Sequence, residues 1–230
     1  MAKNSYPKVL FEDNHILVVN KRPSDIVQGD KTGDEPLVEI MKRYLAEKYK
    51  KPGKVFLGVV HRIDRPVSGA VVFARTSKAL TRLNALFQQR EVQKTYWAVV
   101  GERPAESEGH LVHYLIRNQK QNKSYASDRE GKDSKKAELK FRLLNSTDRY
   151  YLLEINPLTG RHHQIRTQLA KMGSPIKGDL KYGANRSNKD ASIHLHARAI
   201  SFVHPIQKER ITITAPIPND NLWKAITDGL

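Results

Sequence analysis

Apolar positions along this chain follow two periods, simple alternation and a three-to-four-residue spacing, and the switches between them mark out its elements. In residues 9–20, apolar residues flank the acidic, turn-prone triplet Glu12-Asp13-Asn14, which predicts two short strands joined as a hairpin. Residues 35–49 carry Leu37, Ile40, Met41, Tyr44 and Leu45, a spacing that gathers them on one face of a helix able to cover a sheet. Residues 76–90 repeat the pattern with Leu80, Leu83, Leu86 and Phe87, and Ser77 stands where a cap would. The apolar stretches 55–60 and 70–74 predict two buried strands, with Pro66 and Gly69 punctuating a tight loop between them. Strand-like runs follow at 95–100, 111–116, 139–144 and 150–155, then a helix over 163–172 that stops at Gly173. Long β-rich runs in mixed order with helices predict an α+β fold built on a mainly antiparallel sheet.

The loop between the first two buried strands is His61-Arg62-Ile63-Asp64-Arg65-Pro66-Val67-Ser68-Gly69. It sets one carboxylate, Asp64, between two arginines on a tight turn, where functional carboxylates are often presented. An ion-paired loop aspartate is the alternative that this window alone leaves open. A second cluster of charge and turn residues lies far along the chain. It is Gly160-Arg161-His162-His163-Gln164-Ile165-Arg166, continuing to Gly173-Ser174-Pro175-Ile176-Lys177-Gly178-Asp179-Leu180-Lys181-Tyr182-Gly183.

Composition narrows the partner. Forty Lys and Arg against 24 Asp and Glu give a net charge of +16, self-repulsion that is most easily understood if the partner is a polyanion, with RNA the natural candidate. Residues 117–142 hold nine basic and four acidic residues among Asn, Gln, Ser and Gly, and read as an exposed loop or hairpin. Its lysines, Lys135 and Lys136 among them, either face solvent or follow a phosphate backbone. The absence of cysteine excludes disulfides, thiolate catalysis and a thiolate zinc site. No linker or internal repeat interrupts residues 1–230, which are expected to form one domain. The opening residues lack the apolar core of a signal peptide and no run approaches the ~20 apolar residues needed to span a bilayer, so a soluble cytoplasmic protein acting as a monomer is expected.

Taken with Asn20-Lys21-Arg22-Pro23, Gln93-Lys94-Thr95-Tyr96, His194-Leu195-His196-Ala197 to His204-Pro205 and Ala215-Pro216-Ile217-Pro218, the two clusters resemble the RluA-type pseudouridine synthases in order and spacing, over roughly residues 8–218. The resemblance implies a bent, mainly antiparallel mixed sheet flanked by helices, with a central RNA-binding cleft. Many members of the wider group carry a small RNA-binding module first; here the family-like segments begin within the first ten residues, so no such module is expected. The chain departs from the usual pattern at Val67 and His162, where threonine is usual, and at Arg22 and Ser24-Asp25 in the opening motif.

Making pseudouridine breaks the uridine N1 to C1′ bond and rejoins the base through C5, without oxidation or reduction. Neither a metal nor a redox cofactor is expected. By resemblance Asp64 is the catalytic carboxylate, as nucleophile or base. Arg166 is the guanidinium that keeps it ionised and oriented. Tyr96 is the ring that stacks on the target base, and Ile165 the apolar wall of its pocket. A stacked uridine must be swung out of the RNA, and Arg62 is the residue placed to fill the gap. His61, with no acid or base partner in sequence, is read as a structural hydrogen-bonding residue. Two rivals remain: a histidine metal site drawing on His162, His163, His194 and His196 in a hydrolase, and a non-catalytic RNA-binding protein on the same fold. The substrate is expected to be ribosomal RNA, transfer RNA or both.

Overall fold

The computed structural model describes residues 6–30 and 32–230, so residues 1–5, included in the reading of the leader above, lie outside it. In chain order the elements are β1 (Val9–Glu12), β2 (Ile16–Lys21), α1 (Leu37–Lys48), β3 (Gly58–Val59), β4 (Ser68–Ala74), α2 (Ser77–Gln88) and β5 (Gln93–Val100). They continue with β6 (Glu108–Asn118), β7 (Lys123–Ser127), β8 (Lys135–Ser146), β9 (Tyr151–Pro157), α3 (Gln164–Lys171), a single 3-10 turn at Leu180–Tyr182, β10 (Leu195–Val203), β11 (Arg210–Thr214) and α4 (Asn221–Thr227). This is an α+β fold with mostly antiparallel pairing. Among the described residues no helix is long and apolar enough to cross a membrane.

The chain divides into two compact units, one of Met1–Gln93 with Ala197–Pro216, the other of Lys94–His196 with Ile217–Leu230. In the first, β1, β2 and β4 pair in that order, β10 lies beside β4, and β3 and β11 extend β4 and β10. The hairpin anticipated over residues 9–20 forms as β1 and β2, and Asp13 closes it by accepting from the His15 and Ile16 N–H groups, both at 2.7 Å. Alternate residues Ile16, Val18, Ala70 and Val72 point to one side, where they meet Ala79 and Leu83 of α2 and Phe202 of β10 in a dry core. Gly69 is required where β4 meets β10: its φ is +117° and a Cβ there would stand 2.3 Å from the Ala197 carbonyl oxygen.

Two expectations shift in detail. The cap of α2 is Thr76, not Ser77, because Thr76 has the extended backbone of a cap and its hydroxyl accepts from the Ala79 N–H at 3.1 Å. Residues 55–60 pair only at Gly58 and Val59; beyond them the His61 Nε2 accepts the Val72 N–H at 3.0 Å, so a side chain does the work of the next strand carbonyl. That bond is the structural role read for His61.

The second unit is an antiparallel sheet in the order β5-β9-β8-β6-β7. Residues 117–142 take the hairpin form: β6 runs on to Asn118, Asn122 turns the chain at φ 46°, and β7 returns along it. Val99 and Leu152 pack with Trp223 and Ile226 of α4.

Candidate active site

In the first unit the site is a turn on a buried ammonium. Asp64 is half-buried and enters a turn closed by the Val67 N–H donating to its own carbonyl at 3.0 Å. The next carbonyl, that of Arg65, accepts from the Ser24 N–H at 3.0 Å and from Lys21 Nζ at 3.0 Å. Lys21 ends β2 at 1% exposure, and its ammonium also donates to the carbonyls of Arg22 at 2.9 Å and Asp25 at 2.7 Å. Burial pushes its pKa down to about 7 with Arg65 adding to the fall, against the opposing pull of Asp25 and Asp64. Both arginines flanking Asp64 are exposed, and Arg65 turns to Asp34 at 2.5 Å.

In the second unit Tyr96 is half-buried on β5, opposite Ile155 of β9. Ile165 and Arg166 are consecutive and buried in the first turn of α3. The cap of α3 is His163, in the left-handed conformation at φ 53°, followed by Gln164, whose Oε1 accepts from Thr159 Oγ1 at 2.7 Å and from the Arg161 N–H at 2.9 Å. Those bonds tie the loop to the helix it opens. Arg166 makes a two-point bond to Asp179, Nε to Oδ2 at 2.6 Å and Nη2 to Oδ1 at 2.8 Å, and its guanidinium lies 5.0 Å from the Tyr182 ring centre. The Tyr182 hydroxyl accepts from the Ser124 N–H at 2.8 Å and meets His163 Nδ1 at 2.9 Å. Burial raises the Tyr182 pKa, so the phenol keeps its proton. Burial and then the charge of Arg166 hold His163 far below the ordinary imidazole range, so the ring is neutral. Lys135 and Lys136 are exposed neighbours at the start of β8, and Lys136 Nζ contacts Glu138 Oε1 at 2.8 Å.

The structure thus places Asp64 and Arg62 in one unit and Tyr96, Ile165, Arg166, Lys135 and Lys136 in the other. It adds three residues that the sequence reading passed over, Lys21, Asp179 and Tyr182. All three stood inside quoted motifs, and the paired glycines of Gly178-Asp179-Leu180-Lys181-Tyr182-Gly183, at φ +88° and +99°, were the signal of a rigid turn.

The histidines of the metal reading are otherwise engaged. Asn188 Nδ2 donates to His194 Nδ1 at 2.9 Å, His194 Nε2 faces Asp220 Oδ1 at 3.2 Å, and the ring stacks on Trp223. His162 stacks on His163 with centroids 3.7 Å apart, its nitrogens facing Ser124 Oγ and Asn122 Oδ1.

Comparison with known proteins adds four findings. Residues 15–171 match the family model described as RNA pseudouridylate synthase. The chain is 33% identical over 226 residues to the ribosomal large subunit pseudouridine synthase C of Vibrio cholerae, covering 95% of this chain and 68% of that protein. It is 32% identical to synthase D of Zymomonas mobilis, covering 93% and 70%. Among solved structures, the human RNA pseudouridylate synthase domain containing 4 superposes with a TM-score of 0.77 over 92% of this chain and 88% of that one, at 23% identity, a likeness of fold.

Proposed function

This chain belongs to the RNA pseudouridylate synthase family, and we propose that it converts uridine to pseudouridine in large-subunit ribosomal RNA, as a cytoplasmic monomer. The observation that carries the substrate assignment is likeness, at 32–33% identity over more than nine-tenths of the chain, to synthases named for that RNA. The reaction is an isomerisation. The N1 to C1′ bond breaks, the base turns, C5 bonds to C1′, and the proton displaced from C5 is balanced by one gained at N1.

Asp64 is the proposed carboxylate at the sugar or base, Tyr96 the stacking ring, Ile165 the pocket wall, and Arg166 a guanidinium that serves the reaction. Arg62 is assigned the space left by the flipped uridine, and Lys135 and Lys136 the phosphate backbone. Support for Asp64 comes from its backbone: the turn that carries it is anchored on a buried cation through the Arg65 carbonyl.

The test is tritium release from unmodified ribosomal and transfer RNA transcripts containing uridine tritiated at C5. Release from the large-subunit transcript, lost in Asp64→Asn with binding of the RNA retained, is the expected result, because affinity comes mainly from phosphate contacts. Turnover by Asp64→Asn sinks the catalytic assignment, and release from transfer RNA alone sinks the substrate. The same assay on a folded stem-loop and an unstructured strand isolates Arg62, since only the folded target must be unstacked. Arg62→Ala should slow the folded target far more, and equal losses would exclude flipping. Light scattering and cell fractionation check the monomer and the compartment.

A further inference from the structure

A guanidinium presents five N–H groups in one plane, so whatever grips one edge dictates where the other edge points. Asp179 grips the edge formed by Nε and Nη2 of Arg166 through two short bonds, with both side chains almost wholly buried. Asp179 is itself fixed by backbone. Gly178 before it sits at φ +88°, where a Cβ would stand 2.9 Å from the Ser192 carbonyl oxygen, and the Asp179 carbonyl accepts from the Tyr182 and Ala184 N–H groups at 3.0 and 3.1 Å. The Tyr182 ring flanks the guanidinium and is held at its hydroxyl by Ser124 and His163.

We propose that Asp179 is a positioning residue of the isomerisation, setting the plane and direction of the Arg166 guanidinium with the Tyr182 ring as its side support. The proposal rests on the reading that Arg166 serves the reaction. A carboxylate that merely tied α3 to the 3-10 turn would affect stability alone. One that aims the fork of Arg166 must affect turnover, because a site held about 1 Å out of place loses on the order of 100-fold in rate.

The experiment measures tritium release from an unmodified large-subunit ribosomal RNA transcript with Asp179→Asn, Arg166→Lys and the double variant. Asp179→Asn should lower kcat about 10- to 100-fold while KM stays within about twofold, since RNA affinity is set elsewhere. The double variant should be no slower than Arg166→Lys, because a fork already absent cannot be misdirected. Wild-type kcat in Asp179→Asn, or losses in the double variant that multiply, overturn the proposal. Full activity in Arg166→Lys instead removes the underlying reading of Arg166, a distinguishable result. Should Asp179→Asn not fold, nitrogen-15 exchange on the wild-type protein decides the matter: the Arg166 Nε–H should exchange at least about tenfold more slowly than that of exposed Arg62. Equal exchange would show a fork that Asp179 does not hold.

Discussion

A lysine ammonium taken out of water must find acceptors, and Lys21 finds three carbonyls, one of them in the turn that carries Asp64. Its lowered pKa has a consequence for stability. The unfolded lysine keeps its proton up to the ordinary lysine value of 10.5, whereas the folded one loses it near 7, so between these values the unfolded state binds more protons and stability rises with pH. Relative to Lys21→Met, the wild-type protein should gain about 2 kcal/mol between pH 7 and pH 9, read from urea unfolding at each pH. A flat difference would mean that the three carbonyls hold the proton against burial. The turn that carries Asp64 was legible in sequence because Pro66, Gly69 and the flanking arginines mark it, whereas Lys21, one basic residue among forty, was not. Burial and convergent carbonyls single it out, and both are properties of the folded chain.

Elements were legible wherever one face had to be apolar. Hence α1 and α2, whose Leu37, Met41, Leu45 and Leu83 are buried, fall where the periodicity put them. Features decided by pairing were less so. The length of β3 depends on the His61 ring reaching the Val72 N–H, and the form of residues 117–142 on β6 finding both β7 and β8, neither of which is written in local composition. Gly69 shows the same limit: a turn glycine by sequence, it is a strand glycine in the fold, opposite Lys21 and pressed against Ala197. Gly69→Ala introduces a Cβ against backbone and an unfavourable positive φ. It should cost at least about 2 kcal/mol in urea unfolding, and a change under about 0.5 kcal/mol would show that β4 and β10 can shift to admit it.

At the scale of the whole molecule, composition gave a polyanion partner but not the division into two units, because the boundary at residues 196 and 197 falls inside strand β10 and that at 93 and 94 inside β5. Strands crossing a boundary leave no change of composition to read. The net charge of +16 is likewise blind to direction, and the strand supplies it. Adjacent residues of β8 point to opposite faces: Lys135 shares its face with buried Ala137 and Leu139, whereas Lys136 shares the other with Glu138, to which it is bonded. The two lysines therefore reach an RNA backbone from different faces, and Lys136 must first give up a carboxylate to reach a phosphate. Lys135→Ala should flatten the dependence of log affinity on log salt by about 0.7 to 0.9, the loss of one released counterion. Lys136→Ala should change that slope by less than half as much, and neither should alter the preference for target over non-target RNA. Salt titrations of both variants by filter binding decide it. Equal slopes would show that Glu138 does not restrain Lys136, and an unchanged slope for Lys135→Ala would remove the start of β8 from the interface.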